Sequence, residues 1–372
     1  MHYHLLVNDQ CNLHCRYCKG SIYRPELCDA WRELPISCES DILYPLTELE
    51  DFLRKDPSPT ITFYGGEPLM SVDTVCRIMD RIPWGTFLLH TNGTLLDRME
   101  AEYLNAISTI LVSIDGREEV HDAHRGRGTY RLVLKNCRHL IENGYEGEII
   151  ARMTVTEDTD ILQDVMHLAE NEVFAFAAVH WQMNANFYAD YESRRFGEWV
   201  TDSYIPGLQA LAQIWVATME RAGRVRMWYP FVDTMQDLIE GTMGTPLRCG
   251  SGCENYSILP DGYIAPCPCM GGLKEYYAGH IRDADPLALP HIPIGGDCAG
   301  CDEYAFCGGR CLYSNILQPW PVEGRQWIYQ TVKSLHETMG TIQPDVERLL
   351  AAGAVSMGQF AHQKYHGCEI IP

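Results

Sequence analysis

The feature that most constrains this chain is its sixteen cysteines, eleven of them gathered at short spacings in two separate places. Cys11, Cys15 and Cys18 stand near the start as CNLHCRYC, spaced C-x3-C-x2-C. A second field begins at Cys249 and is dense in Cys, Gly and Pro (CGSGCEN, PDGYIAPCPCMGG, GGDCAGCDEYAFCGGRC). Such a stretch cannot bury enough apolar surface to order itself, so it is expected to take its order from bound metal or clusters and to be poor in helices and strands. Compartment decides between ligands and disulfides. Residues 1–8, MHYHLLVN, show neither a basic n-region nor an apolar h-region. The longest apolar stretches, such as 174–181, fall short of the roughly 20 residues that a bilayer requires. The expectation is a cytoplasmic chain with no membrane partner and reduced thiols.

Outside the cysteine fields the pattern is one of short apolar runs alternating with helical spacing. Strands are expected at 4–7, 60–64, 86–90, 110–114, 149–155 and 177–182, and helices at 72–82, 97–107, 130–143 and 160–170. Alternation of this kind implies βαβ units and a parallel sheet. Six units are too few to close an eightfold barrel, so the fold class is α/β, a partial (β/α)6 TIM-like barrel or open sheet. A connector helix is expected at 199–222, and two helices at 326–339 and 345–352. The expected domains are 1–185, the αβ domain; 186–245, a helical connector; and 246–372, the cysteine-rich domain with C-terminal helices. The formal net charge of −21, from 29 Lys and Arg against 50 Asp and Glu, argues against a phosphate-backbone partner such as nucleic acid.

Three thiolates on one loop after the first strand can hold three corners of a cubane iron–sulfur cluster and leave the fourth iron open for chemistry. A zinc site completed by His14 or a distant residue is the competing reading of the spacing. Position and neighbouring residues favour the cluster. CNLHCRYC, with Tyr17 before its third cysteine, resembles the signature of the radical S-adenosylmethionine (SAM) enzymes. The resemblance implies a [4Fe-4S] cluster on Cys11, Cys15 and Cys18 whose open iron binds SAM, reductive cleavage of SAM to a 5'-deoxyadenosyl radical, and a reductant such as ferredoxin or flavodoxin.

Later segments carry the same resemblance. FYGGEPLM, with Gly65, Gly66, Glu67 and Pro68, resembles the methionine-binding segment: glycines permit close backbone approach to a ligand, and the Glu67 carboxylate can pair with an ammonium. HTNGTLL contributes Thr91 and Asn92, and VSIDG contributes Ser113 and Asp115, at the ends of strands that face the ligand in such sheets. The resemblance implies cofactor contacts for Tyr17, Thr91, Asn92 and Ser113, and a place near substrate for Asp115. It also implies that Arg152 pairs with the cofactor carboxylate, a structural salt bridge being the alternative. HDAHRGRGTY, with Arg127 as a second catalytic candidate beside Asp115, resembles a segment of the substrate vestibule in peptide-modifying members.

Cys298, Cys301, Cys307 and Cys311 read C-x2-C-x5-C-x3-C and are preceded by Gly262-x4-Cys267. These resemble the SPASM extension, which implies two further [4Fe-4S] clusters and three in all. The implied ligands are Cys249, Cys253, Cys267 and Cys311 for one, and Cys298, Cys301, Cys307 and Cys368 for the other. Zinc ribbons are the alternative. Cys269 could substitute as a ligand or act as a reactive thiol. Cys76 and Cys137 are assigned to helix packing; Cys28 and Cys38 bracket a loop.

Fully ligated auxiliary clusters suit electron transfer, which favours an oxidative outcome. The resemblance thus implies modification of a ribosomally made peptide or protein side chain: crosslink, thioether or dehydrogenation. Sulfatase-maturing relatives carry an aspartate after the G-x4-C cysteine, where this chain has Pro268, so formylglycine formation ranks below peptide modification of the kind presumed for methanogen SPASM proteins. The alternatives are small-molecule or cofactor biosynthesis on the same plan, and a non-enzymatic iron–sulfur or zinc carrier.

Overall fold

The computed structural model describes residues 1–18, 42–242, 247–364 and 371–372. Cys28, Cys38 and Cys368 lie outside the described residues. The strands are β1 His2–Asn8, β2 Thr60–Gly65, β3 Thr86–Thr91, β4 Ile107–Ser113, β5 Glu148–Val155, β6 Ala178–Met183, β7 Met227–Trp228, β8 Asn255–Ile258, β9 Tyr263–Ala265 and β10 Gly279–His280. The helices are α1 Leu46–Leu53, α2 Val72–Arg81, α3 Ala101–Asn105, α4 Glu118–Arg125, α5 Thr129–Glu142, α6 Ile161–Ala169, α7 Phe196–Trp199, α8 Ile205–Ala222, α9 Tyr229–Glu240, α10 Tyr304–Cys307, α11 Leu312–Leu317 and α12 Val322–Ala351. The fold is α/β, as expected.

Two compact units take residues from both sides of the expected boundaries. The first comprises Met1–Ile114, His121–Ile150 and Gly250–Pro293; the second comprises Asp115–Val120, Ala151–Cys249 and Ile294–Pro372.

In the first unit the strand order is β10-β9-β8-β1-β2-β3-β4. β1 lies between β2 and β8 and is parallel to both. Tyr3, Leu5 and Val7 point into the core and are fully buried, while His2 and His4 on the other face are buried with Thr62 and Asn255 as their hydrogen-bond partners. Burial on both faces is the normal condition of a central parallel strand and accounts for its apolar run. The helices that follow place Val75, Ile78 and Met79 of α2, and Val133, Leu134, Cys137 and Leu140 of α5, at spacings of three and four against the core. Cys137 is wholly buried, as its assignment to packing requires; Cys76 is half-buried.

β8 corrects the expectation of an irregular cysteine field. Asn255–Ile258 pairs with β1 from His2 to Leu5, then turns back through β9. In NYSI only Tyr256 and Ile258 are strand formers, yet all four residues are buried, and pairing with a strand from the other end of the chain gives the run the burial that its own flanks do not supply.

The second unit holds most of β5, with β6 and β7; β6 and β7 are parallel. The connector is broken into three pieces: α7, a π-turn over Val200–Tyr204, and α8. Pro206 in the first turn of α8 has no N–H for the preceding ladder, and a wider turn accommodates the loss. The two expected C-terminal helices are one, α12, running through Pro344. Its apolar side, including Val332, Leu335, Met339, Ile342 and Val346, is buried in packing with α8 and α9. That packing outweighs the roughly 3 kcal/mol that an internal proline costs.

Candidate active site

The three N-terminal cysteines lie on the loop that leaves β1, where the β1–β2 register shifts between Leu6 and Asn8. Such a shift turns the chain out of the sheet at the point where the loop must begin. Cys11, Cys15 and Cys18 are all partly exposed, and the Cys18 N–H donates to Cys15 O at 3.0 Å.

The Gly-Gly-Glu-Pro segment docks on this loop. Gly66 N–H donates to Asn8 O at 3.1 Å, Glu67 N–H to Gln10 O at 2.7 Å, and Asn8 Nδ2 to Glu67 O at 3.1 Å. A Cβ on Gly65 would collide with Asn8 O, and one on Gly66 with Gln10 O; Gly65 also has φ +150°. The glycines therefore serve a close approach, but to the backbone of the cysteine loop.

Glu67 is wholly buried. Its Oε1 accepts from Thr91 Oγ1 at 2.7 Å and from Leu69 N–H at 3.1 Å, and its Oε2 accepts from Asn92 N–H at 2.7 Å. Burial pushes this carboxyl up to about 7, against the pull of those three donors. The ionic role expected of Glu67 thus shares the carboxylate with a bracing role that joins the ends of β2 and β3.

Asn92 extends the brace to the thiols. Its Nδ2 donates to Asn12 Oδ1 at 2.8 Å and lies 3.7 Å from Cys11 Sγ, while Asn12 Nδ2 reaches Thr94 Oγ1 at 2.9 Å. Burial raises the Cys11 thiol, and the donors Leu13 N–H and Asn92 act in the opposite sense, as donors to a thiolate do. Asn8, Asn12 and Thr94 were missed in the sequence because single Asn and Thr residues in loops carry no spacing signal.

The segment expected at a vestibule braces the same loop from another side. Arg16 N–H donates to His124 O at 3.0 Å, Tyr17 meets the His124 ring edge-on at 5.2 Å, and the Arg125 guanidinium lies over Tyr17 at 5.4 Å. Arg125 is the buried arginine of this segment; Arg127 is exposed in the turn after α4. Ser113 ends β4, half-buried. In the second unit, Asp115 is fully buried and accepts from Thr154 N–H at 2.9 Å, which is the setting of a bracing carboxylate. Arg152 donates to His180 Nδ1 and Gln182 Oε1, each at 2.9 Å.

The C-terminal thiols divide between the units. Cys253, Cys267 and Cys269 belong to the first; Cys249, Cys298, Cys301, Cys307 and Cys311 belong to the second. Cys307 ends α10, Cys311 caps α11, and Gly308 and Gly309 between them have positive φ. Arg248, beside Cys249, is anchored by Asp233 at 2.5 Å, Asp237 at 2.7 Å and Phe306 O at 2.9 Å. Among the described residues no three His, Cys, Asp or Glu side chains converge as ligands of a single metal ion do; thiolates of a cubane each bind a different iron and share no such point.

The family model of the radical SAM superfamily matches residues 5–169, the span that contains the cysteine loop and all the segments docked on it. The chain carries a radical SAM domain. It is an enzyme, and its family implies a [4Fe-4S] cluster and SAM. The thiol loop braced by Glu67 and Asn92 fits that group: three thiols on one loop, partly exposed, with an amide donor directed at Cys11. Radical SAM cyclopropyl synthase TigE of Paramaledivibacter caminithermalis is 24% identical over 346 residues, covering 84% of this chain and 69% of that protein. Mycofactocin maturase MftC of Mycolicibacterium smegmatis is 22% identical over 333 residues, with 84% and 78% covered. Among solved structures, native anSMEcpe with bound AdoMet and Cp18Cys peptide superposes with a TM-score of 0.69 at 18% identity, over 95% of this chain and 99% of that one. The match is one of fold. No helix among the described residues is long and apolar enough to cross a membrane.

Proposed function

We propose that this radical SAM enzyme oxidatively modifies a side chain of a ribosomally made peptide, forming a crosslink, a thioether or a double bond. The observation that carries the reading is the joining of Cys11, Asn92 and Glu67 in one brace, together with a second set of thiols that the radical step itself does not need. When bound, the cluster and SAM supply a one-electron cleavage that yields a 5'-deoxyadenosyl radical. Cys11, Cys15 and Cys18 would hold the cluster, and Asn92 would donate to the Cys11 sulfur. Gly65, Gly66, Glu67, Pro68 and Thr91 would form the wall for the methionine end of SAM, and Ser113, Tyr17 and Arg152 would add further contacts. Asp115 would order the end of β5 behind the substrate, and Arg127 would meet the peptide from the surface. Cys249, Cys253, Cys267 and Cys311, with Cys298, Cys301, Cys307 and Cys368, would hold two auxiliary clusters that take the electron an oxidative outcome releases. A relative named as mycofactocin maturase and a solved structure of the same fold that holds a peptide support this substrate class.

The test has two parts. Anaerobically reconstituted protein is expected to hold about 12 irons per chain with little zinc. With dithionite and SAM it should form 5'-deoxyadenosine, and faster when a Cys-rich peptide is present. About 4 irons with zinc in their place would remove the auxiliary clusters from the reading. Deoxyadenosine formation indifferent to every peptide but accelerated by a small metabolite would replace the substrate class.

A further inference from the structure

Arg310 differs from the other buried arginine of the second cysteine field. Arg248 is matched by two carboxylates and a main-chain oxygen. Arg310 is 6% exposed, yet its Nε and Nη2 are buried with no hydrogen-bond partner among the described residues. Buried donors left unmatched are costly, so a native chain that keeps them is expected to hold a partner for them.

The backbone directs the guanidinium to its place at a cost. Arg310 has φ +55°, a left-handed conformation uncommon for a long side chain, directly after Gly308 at +67° and Gly309 at +96°. Its N–H is held by Cys307 O at 3.3 Å. The groups that interact electrostatically with the guanidinium include Cys311, Cys307, Tyr204 and Cys298. Three of those four are thiols. Cys298 is bonded by the Asn315 side chain and Cys307 by the Gly309 N–H, and Cys301 N–H donates to Cys298 O at 3.2 Å.

We infer that Arg310 donates its Nε–H and Nη2–H to auxiliary-cluster sulfurs at the thiols around it, Cys298 and Cys307 on one side and Cys311 on the other, and thereby stabilises the reduced state there. Hydrogen bonds to sulfur and local charge are principal determinants of cluster potential. A fixed positive charge favours the state with one more electron. Arg310 is accordingly a positioning residue for electron acceptance: the cluster takes one electron, from the substrate radical in turnover or from dithionite in a titration, and no bond in the protein changes.

The inference rests on the cluster reading of the second field, and one experiment separates the two. In holoprotein carrying Cys11→Ala, Cys15→Ala and Cys18→Ala, all remaining iron belongs to the C-terminal thiols. Redox titration followed by electron paramagnetic resonance is performed on that background alone and with Arg310→Gln or Arg310→Lys. The Gln variant is expected to lose at least tenfold in electron affinity, a shift of about 59 mV to lower potential for a one-electron couple. Lys keeps the charge without the fork and should shift less. Unmoved potentials with iron retained would overturn the role of Arg310. Absence of iron from the background protein itself would instead overturn the cluster reading. If the Gln variant does not assemble, the Lys variant decides: a potential equal to that of the background overturns the inference, and a partial shift supports it.

Discussion

The main-chain N–H of Asn92 donates to Glu67 Oε2 at 2.7 Å while the side chain of the same asparagine points at Cys11 Sγ, 3.7 Å away. One residue at the end of β3 thereby couples the end of β2 to the first thiol of the cysteine loop. A change at Glu67 is transmitted to the thiols through a single covalent unit.

Glu67→Gln removes the carboxylate and turns an amide NH2 toward a donor. We expect a loss of about 1–3 kcal/mol at neutral pH, read from denaturant midpoints. The pH dependence is more specific. Burial raises the folded carboxyl from 4.5 to about 7, so the folded state binds a proton that the unfolded chain has released between those values. Stability from this group is full below about 4.5 and is lost as pH rises toward about 7. The difference between wild type and Glu67→Gln should slope by up to about 3 kcal/mol across that window; a flat difference would refute the burial argument.

Asn92→Ala leaves the main-chain bond to Glu67 and removes the contacts to Asn12 and Cys11. Stability should fall by about 1 kcal/mol, with a larger loss in the rate of deoxyadenosine formation. Equal deoxyadenosine rates in wild type and variant would show that the amide plays no part at the cluster loop.

Gly66→Ala forces a methyl group into the main-chain oxygen of Gln10. Two backbones must separate to admit it, so we expect destabilisation of more than 3 kcal/mol and loss of iron from the N-terminal site. Retention of normal iron and thermal midpoint would mean that the loop moves freely from β2.

Arg248→Met leaves Asp237 buried without its cation and Asp233 with His362 alone, at 3.4 Å. A cost of about 3–5 kcal/mol is expected in thermal or chemical unfolding. Combining it with Asp233→Asn and Asp237→Asn should recover part of that loss, and failure to recover any would show that the arginine acts through its packing on Phe306, 5.0 Å away.

Much of this was legible in the sequence because period and spacing are local properties. The strands expected at 60–64 and 149–155 match β2 and β5 to within a residue at each end, since apolar runs bounded by polar residues report burial directly. The thiols of Cys11, Cys15 and Cys18 were likewise visible as a spacing. Less visible were short helices such as α1 and α4, and the joining of α12 through Pro344, where packing against α8 and α9 overrides a local breaker.

By itself, the sequence determined the α/β alternation, the cysteine loop after the first strand and the family that these imply. Only the tertiary structure decided that β8 completes the sheet beside β1, that the glycines of the Gly-Gly-Glu-Pro segment meet the cysteine loop's backbone, that Glu67 braces Asn92, and that Arg310 is buried unmatched near the thiols of Cys298, Cys307 and Cys311. The physical reason is the same in each case. Periodicity and ligand spacing are written within a few consecutive residues, whereas the partner of a buried donor, acceptor or strand edge is chosen by chain segments that meet only after folding.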